Sequence, residues 1–205
     1  MNLVQEFKIS DQDSIKILVP NNVENKLNYY DYPTEQLHLF DQLTVVLQQK
    51  DLSTELARDM TDYTLGDFQD ALIKVLNKKN SLPVEYNIKD LGILYNVNSH
   101  TDNENRFDLT QFSIWSNVTT ITWLYRKNNH IYLEISPKYP WLYEEYDPLE
   151  HYISFQDFMR AYKSVALYEI SREIAEQWLT QCNVILDEIA KLSGYKNYKD
   201  SIHPS

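Results

Sequence analysis

The apolar positions near the start of the chain come in short runs that alternate with polar residues, a pattern typical of β-strands. Val4–Ile9 and Ser14–Val19 are two such runs, separated by Asp11, Gln12 and Asp13. Aspartate favours tight turns because its side chain bonds to the nearby backbone. The first twenty residues are therefore predicted to form a β-hairpin.

Three further apolar runs before residue 50 extend this pattern. Leu27–Tyr32 and Gln36–Phe40 are expected to be strands on either side of Pro33. Leu43–Gln48 contains β-branched residues that favour a strand, but its leucine and glutamine context also permits a helix, so both readings remain open. The N-terminal part of the chain is thus expected to be rich in strands.

Two short helices are expected next. Ser53 can act as the N-cap of a helix that runs to about Met60. Thr64 can cap a second helix, with Asp67 in the capping-box position. Apolar residues of this second helix fall on one face, at spacings of three and four: Phe68, Leu72, Val75 and Leu76.

The middle of the chain contains a polar stretch and then the clearest β pattern. Asn96–Asn105 is polar and rich in turn-forming residues, so it is expected to be an exposed loop. Apolar and polar residues alternate between positions 111 and 136. Asn128 and Asn129 separate two of these runs and tolerate positive φ angles, which predicts a hairpin over Thr119–Pro137.

The clearest helical pattern covers residues 154 to 192. Ser154 is a good N-cap, Asp157 completes the capping box, and apolar residues then recur every three or four positions. A helix of this length exceeds the usual range, so a break is expected between Ser164 and Tyr168. Gly194 is a natural C-terminal stop.

These elements predict an α+β fold. It would combine a mostly antiparallel sheet with two shorter helices and a long C-terminal helix, either whole or broken in two. The chain has 205 residues, 43% of them hydrophobic, which is enough for one core. We expect a single domain over residues 1–194 and a flexible C-terminal tail over residues 195–205.

The charge of the chain narrows the classes of partner. It has 30 acidic and 19 basic residues and a formal net charge of −11. Such a surface repels nucleic-acid phosphates and anionic membranes and attracts basic proteins. The first residues lack the basic and apolar regions of a signal peptide, so a cytoplasmic location is expected.

Recognisable catalytic and cofactor motifs are absent from the sequence. The chain has three glycines, no glycine-rich phosphate loop, and five histidines without zinc-type spacing. Its single cysteine, Cys182, falls on the apolar face of the predicted long helix, where a thiol is usually inert. No catalytic residue, metal ligand or cofactor is therefore predicted.

The strongest candidate for a contact surface is Lys138–Tyr152, which reads KYPWLYEEYDPLEHY and joins the clearest hairpin to the clearest helix. Its aromatic residues offer anchoring area, and its carboxylates complement lysine or arginine. In the alternative interpretation, Trp141 and Leu142 fill the core and the acidic residues only solvate a turn. The predicted partner-binding residues are Tyr139, Trp141, Tyr143, Glu144, Glu145, Tyr146, Asp147 and Glu150.

The sequence therefore predicts a module that binds a basic protein and not nucleic acid or membrane. The most concrete version is an acidic immunity or inhibitor protein that neutralises a basic toxin or nuclease. An adaptor or secretion chaperone, acting as a homodimer, is the first alternative. An enzyme whose active site is assembled from distant residues is the second.

Overall fold

The computed structural model describes residues 1–19, 37–39, 41–86, 90–100, 107–140 and 153–202. Within these residues the chain forms two four-stranded antiparallel sheets and five α-helices, which confirms the predicted α+β class. In chain order the elements are β1 (Asn2–Lys8), β2 (Asp13–Val19), β3 (Gln42–Gln49), β4 (Leu52–Met60), α1 (Thr61–Leu76), α2 (Leu91–His100), β5 (Ser113–Ser116), β6 (Thr120–Lys127), β7 (His130–Pro137), α3 (Phe155–Ala161), β8 (Ala166–Ile170), α4 (Arg172–Leu192) and α5 (Tyr198–Ile202).

The first sheet has the strand order β1-β2-β3-β4. The predicted N-terminal hairpin is confirmed, because β1 pairs antiparallel with β2. Leu43–Gln48, for which the sequence allowed either a strand or a helix, lies in the strand β3. Its Leu43, Val45 and Leu47 are fully buried. Leu37–Leu39 forms no strand, and Leu27–Tyr32 lies outside the described residues.

The prediction of a helix from Ser53 to Met60 is wrong. These residues belong to β4, and Ser53 and Met60 lie opposite Gln48 and Gln42 of β3. Pairing with a neighbouring strand satisfies the backbone hydrogen bonds of β4 and overrides a weak local helix signal. The true helix, α1, follows β4 without a loop and starts at Thr61, so Thr64 and Asp67 lie inside the helix and do not cap it.

The second sheet has the order β5-β6-β7-β8. The hairpin between β6 and β7 is confirmed, and Asn128 and Asn129 adopt φ angles of 49° and 71°. The prediction of a loop over Asn96–Asn105 is wrong for residues 96–100, because residues 91–100 form α2. Residues 101–105 lie outside the described residues. A tertiary bond fixes this helix, since the buried amide of Asn96 donates to the Pro137 carbonyl at 2.9 Å, besides its bond to the Gly92 carbonyl within the helix at 2.7 Å.

The long helical pattern at residues 154–192 contains a strand. The Ser154 cap is confirmed, since its Oγ accepts from the Asp157 amide at 3.1 Å. The expected break, however, is β8, which pairs with β7 along its whole length. Ala166 and Ile170 are both buried, and their spacing of four suits one face of a strand as well as one face of a helix.

Helix α1 connects the two sheets. The ring of Phe68 lies 5.1 Å from that of Phe7 in β1, 4.8 Å from Trp115 in β5 and 5.8 Å from Trp178 in α4. One buried cluster contains residues of both sheets together with α1 and α4. Cys182 is fully buried within this cluster, as its position in the sequence predicts.

The C-terminal segment packs against α1. Gly194 has a φ angle of 90° and follows α4, as expected of a helix stop. Within the tail expected from residue 195, the structure has α5, whose Tyr198 is buried and donates from Oη to the Asp62 carbonyl at 3.3 Å. This contact places α5 beside the first half of α1.

Candidate functional site

The structure places one of the eight residues predicted to bind a partner. Tyr139 is buried, its amide donates to Asn96 Oδ1 at 2.7 Å, and its Oη donates to the Ile153 carbonyl at 3.1 Å. These bonds fix the point where the chain leaves β7. The other seven lie outside the described residues, and their role stays a prediction: Trp141, Tyr143, Glu144, Glu145, Tyr146, Asp147 and Glu150.

A concave pocket of about 200 Å³ lies between β4, α1 and β5. We call it the α1 pocket. Residues 57–59 of β4 and residues 114–116 of β5 form two of its sides, and Tyr63, Thr64 and Asp67 of α1 form the third. Three separate elements therefore build it, which explains why a single sequence motif does not reveal it.

The direct transition from β4 to α1 positions the acidic side of this pocket. The amide and the Oγ1 of Thr61 both donate to the Asp41 carbonyl at 2.9 Å, and the Asp62 amide donates to the Leu39 carbonyl at 3.0 Å. These bonds satisfy amides at the start of the helix, which lack partners within the helix. They fix Asp59, at the end of the strand, next to the first turn of α1.

Trp115 closes the pocket on the side of β5. It is buried, and its indole Nε1 donates to the Thr64 carbonyl at 2.9 Å. Tyr63 contrasts with it, because 54% of its surface is exposed. The pocket thus has one rigid aromatic wall and one exposed ring at its rim.

Negatively charged groups outnumber positively charged ones at and around the α1 pocket. Partial burial raises the pKa of Asp67, and the carboxylates of Asp70, Asp59 and Asp62 raise it further. Burial also raises the pKa of Asp62, with a smaller contribution from Asp59. The neighbouring carboxylates therefore disfavour the charged form of Asp67, and Lys74 offsets part of this effect.

The nearby cations have other partners among the described residues. Arg58 lines the pocket but pairs with Glu55 at 2.7 Å, and Lys74 pairs with Asp70 at 2.5 Å. Lys138 approaches from the side of β5 and donates to Ser116 Oγ and the Asn117 carbonyl at 3.4 Å. Within the described residues, Asp59 and Asp67 form no ion pair.

One polar atom at this site lacks a hydrogen bond. Thr64 is 1% exposed and lines the α1 pocket, and its Oγ1 has no partner among the described residues. A buried hydroxyl without a partner costs about 1 to 3 kcal/mol. The pocket therefore combines excess negative charge with an unsatisfied hydroxyl.

A second polar cluster lies under α2 and has a structural role. The carboxylate of Glu134, fully buried on β7, accepts from the amides of Leu91 and Gly92 at 2.9 Å. It also accepts from Tyr125 Oη at 3.0 Å and from Ser136 Oγ at 2.5 Å. Glu134 thus caps α2 from a neighbouring strand and attaches this helix to the second sheet.

The lining of the α1 pocket, with Asp59 and Asp67, is of a kind that suits a cationic group. In the part of the chain that the structure describes, no group of three or more His, Cys, Asp or Glu side chains is placed to hold a metal ion. Burial raises the pKa of the Cys182 thiol, which disfavours the reactive thiolate form. Among the described helices, none is long and apolar enough to cross a membrane.

Comparisons with known proteins give no relative of this chain. No family model matches it, and neither a curated protein nor a solved structure does.

Sequence reasoning missed the aspartates of the α1 pocket, although a signal was present. Asp59, Asp62, Asp67 and Asp70 fall within twelve residues, together with Tyr63. The expected helix over 53–60 hid this signal because it separated Asp59 from the helix that follows. Assigning Asp67 a capping role removed it from the candidates for binding.

Proposed function

We propose that this protein is a binding module that neutralises a basic protein partner, in the manner of an acidic immunity or inhibitor protein, and that it acts by contact and not by catalysis. The observation that carries the proposal is the α1 pocket, where the carboxylates of Asp59 and Asp67 form no ion pair among the described residues. Lys74, which pairs with Asp70, offsets the charge of Asp67 only in part. A cationic side chain of a partner would relieve their repulsion.

The charge of the whole chain supports the same conclusion. A net charge of −11 creates a field that attracts basic proteins from a distance and raises their rate of association. The predicted contact segment at residues 138–152 would add a second acidic and aromatic surface. The proposal sets this activity in the cytoplasm, where the sequence leads us to expect the protein.

The test is affinity capture of the tagged protein from cells of its source, followed by calorimetry with the purified partner. We expect a basic protein to bind in a defined stoichiometry. The Asp59→Asn/Asp67→Asn double variant should weaken binding about tenfold or more, since it removes charge at the contact. Glu144→Lys/Glu145→Lys tests the predicted segment in the same assay.

The matched control is the Asp51→Asn/Glu188→Gln double variant. It removes the same charge from two exposed positions, the turn after β3 and the outer side of α4. We expect a small effect, confined to the association rate. Equal weakening by both double variants would contradict a specific role for the α1 pocket, and capture of no basic protein would contradict the proposed function.

A further inference from the structure

The α1 pocket has the size of a site for one side chain. Its volume of about 200 Å³ is below the roughly 300 to 1,000 Å³ that is typical of small-molecule sites. It still exceeds the share of several water molecules, each of which takes about 30 Å³ in the liquid. A pocket of this size accepts the end of a long side chain and excludes most cofactors.

The arrangement of charge in the pocket favours an extended cation over a compact one. Asp59 belongs to the end of β4 and Asp67 to the second turn of α1, so the two carboxylates reach the lining of the pocket from different elements. Among the described residues they belong to no cluster that could enclose a metal ion. A planar guanidinium presents five donors in a fixed geometry that matches carboxylates, whereas an ammonium is a compact and more strongly hydrated charge.

The aromatic residues provide a second feature of such a site. Trp115 forms the wall on β5 and is held by its bond to the Thr64 carbonyl, but it is 4% exposed. The accessible ring of the lining is that of Tyr63, which is 54% exposed. A guanidinium group stacks on aromatic faces and is more weakly hydrated than an ammonium group. Both properties favour arginine over lysine here.

The third feature is independent of charge. Thr64 is almost fully buried in the wall of the pocket, and its Oγ1 has no hydrogen-bond partner among the described residues. This oxygen has almost no exposed surface, so a bound N–H group would satisfy it after a small shift of the pocket wall. Guanidinium carries five such donors in a fixed geometry, more than any other side chain.

We infer that the α1 pocket is a socket for an arginine side chain of the partner, bound between Asp59 and Asp67 beside Tyr63 and Trp115. This inference rests on the proposed function and specifies how it is carried out. The partner would insert one exposed arginine, and the acidic surface around the pocket would orient it.

The experiment is an NMR titration of the ¹⁵N-labelled full chain with the blocked peptide acetyl-Gly-Arg-Gly-amide at constant ionic strength. The indole N–H of Trp115 reports on the pocket directly, because it bonds to Thr64. We expect a saturable shift of this signal. The same peptide with lysine in place of arginine should bind several-fold more weakly.

Two variants test the residues that would hold the arginine. Asp67→Asn should raise the dissociation constant for the arginine peptide about tenfold, because a charge-assisted hydrogen bond is lost. Thr64→Val keeps the shape of the side chain but removes its hydroxyl group, so this variant should weaken arginine binding without unfolding the chain. Asp51→Asn, in the turn after β3, is the control and should leave the dissociation constant unchanged.

The results separate this inference from the proposed function. An unshifted Trp115 signal, equal binding of the lysine peptide, or a dissociation constant unaffected by Asp67→Asn would each overturn the arginine socket. The proposed function would survive these results if the Asp59→Asn/Asp67→Asn variant still lost its basic partner. A functional socket without any captured basic partner would overturn the proposed function instead.

Discussion

The carboxyl group of Asp67 lies where its charge destabilises the folded chain. Partial burial and three neighbouring aspartates hold its pKa above the usual value of 3.8. When folding raises the pKa of a carboxyl group, the folded state loses stability as the pH rises above the pKa of that group in the unfolded chain. The reason is that the unfolded chain releases the proton more readily. Charge that opposes folding is often retained where function requires it.

Asp67→Asn should therefore stabilise the free protein at pH 7. The gain should be at most about 0.5 kcal/mol, because water screens a partly exposed carboxylate. It should shrink as pH falls towards 3.8 and vanish below it. Urea unfolding of both proteins at pH 3, 5 and 7 measures this difference, and a loss of stability at pH 7 would show that the carboxylate contributes to folding.

Burial raises the pKa of Glu134 as well, but its hydrogen bonds stabilise the charged form and hold the fold together. Glu134→Ala would leave two amides and two hydroxyls without their acceptor in a buried place. The free energy of unfolding should fall by about 2 to 4 kcal/mol. Glu169→Ala is the control on the adjacent strand, where the side chain is 58% exposed and pairs with His130. Its loss should be below about 1 kcal/mol, and equal losses would refute the role of Glu134 as a cap.

At the scale of elements, the contact between α1 and α5 depends on one glycine. A Cβ atom at Gly66 would collide with Tyr198 Oη. Without this neighbour, alanine would stabilise the helix interior by roughly 1 kcal/mol. Gly66→Ala should instead destabilise the chain and increase hydrogen exchange in α5.

The double variant Gly66→Ala/Tyr198→Phe tests the cause. Removing Oη leaves the ring carbon that carries it 3.2 Å from the new Cβ, a distance that small shifts can relieve. Part of the lost stability should return, which an additive pair of substitutions would not produce. A stabilising Gly66→Ala single variant would show that α5 does not pack on α1 in solution.

Local patterns predicted those elements whose partners are close in sequence. The hairpins β1–β2 and β6–β7 follow from alternation and from their turn residues, because adjacent strands need no other information. Strands β4 and β8 were mistaken for helix. The partner of β4 is close in sequence, but a register irregularity makes its buried residues Leu56 and Ala57 adjacent, so the alternation typical of a strand is lost. The partner of β8 is distant, and the spacing of Ala166 and Ile170 fits both kinds of element.

The candidate site was less predictable than the fold. The sequence shows the acidic composition of the site, since four aspartates and one tyrosine lie close together between residues 59 and 70. Its shape could not, because Trp115 reaches the pocket from a strand more than forty residues further along the chain. Only the folded chain shows that Thr64 lies in the wall of the pocket with an unpartnered hydroxyl.

At the scale of the whole molecule, one residue connects both sheets. Phe68 is fully buried and contacts Phe7 of the first sheet, Trp115 of the second and Trp178 of α4. Because the two sheets share this cluster, neither can lose its packing without exposing apolar surface of the other. We therefore expect the chain to unfold as one cooperative unit.

Phe68→Ala tests this coupling. It should reduce the free energy of unfolding by about 3 to 5 kcal/mol, the usual cost of removing a buried aromatic ring. Protection of backbone amides against hydrogen exchange should fall equally in β2 and β6, because both sheets depend on the same cluster. The control is Tyr63→Ala on the same helix, which removes a ring that is 54% exposed and should change stability by about 0.5 kcal/mol or less. If β6 kept its protection while β2 lost it, the two sheets would be independent units, and α1 would belong to the first of them.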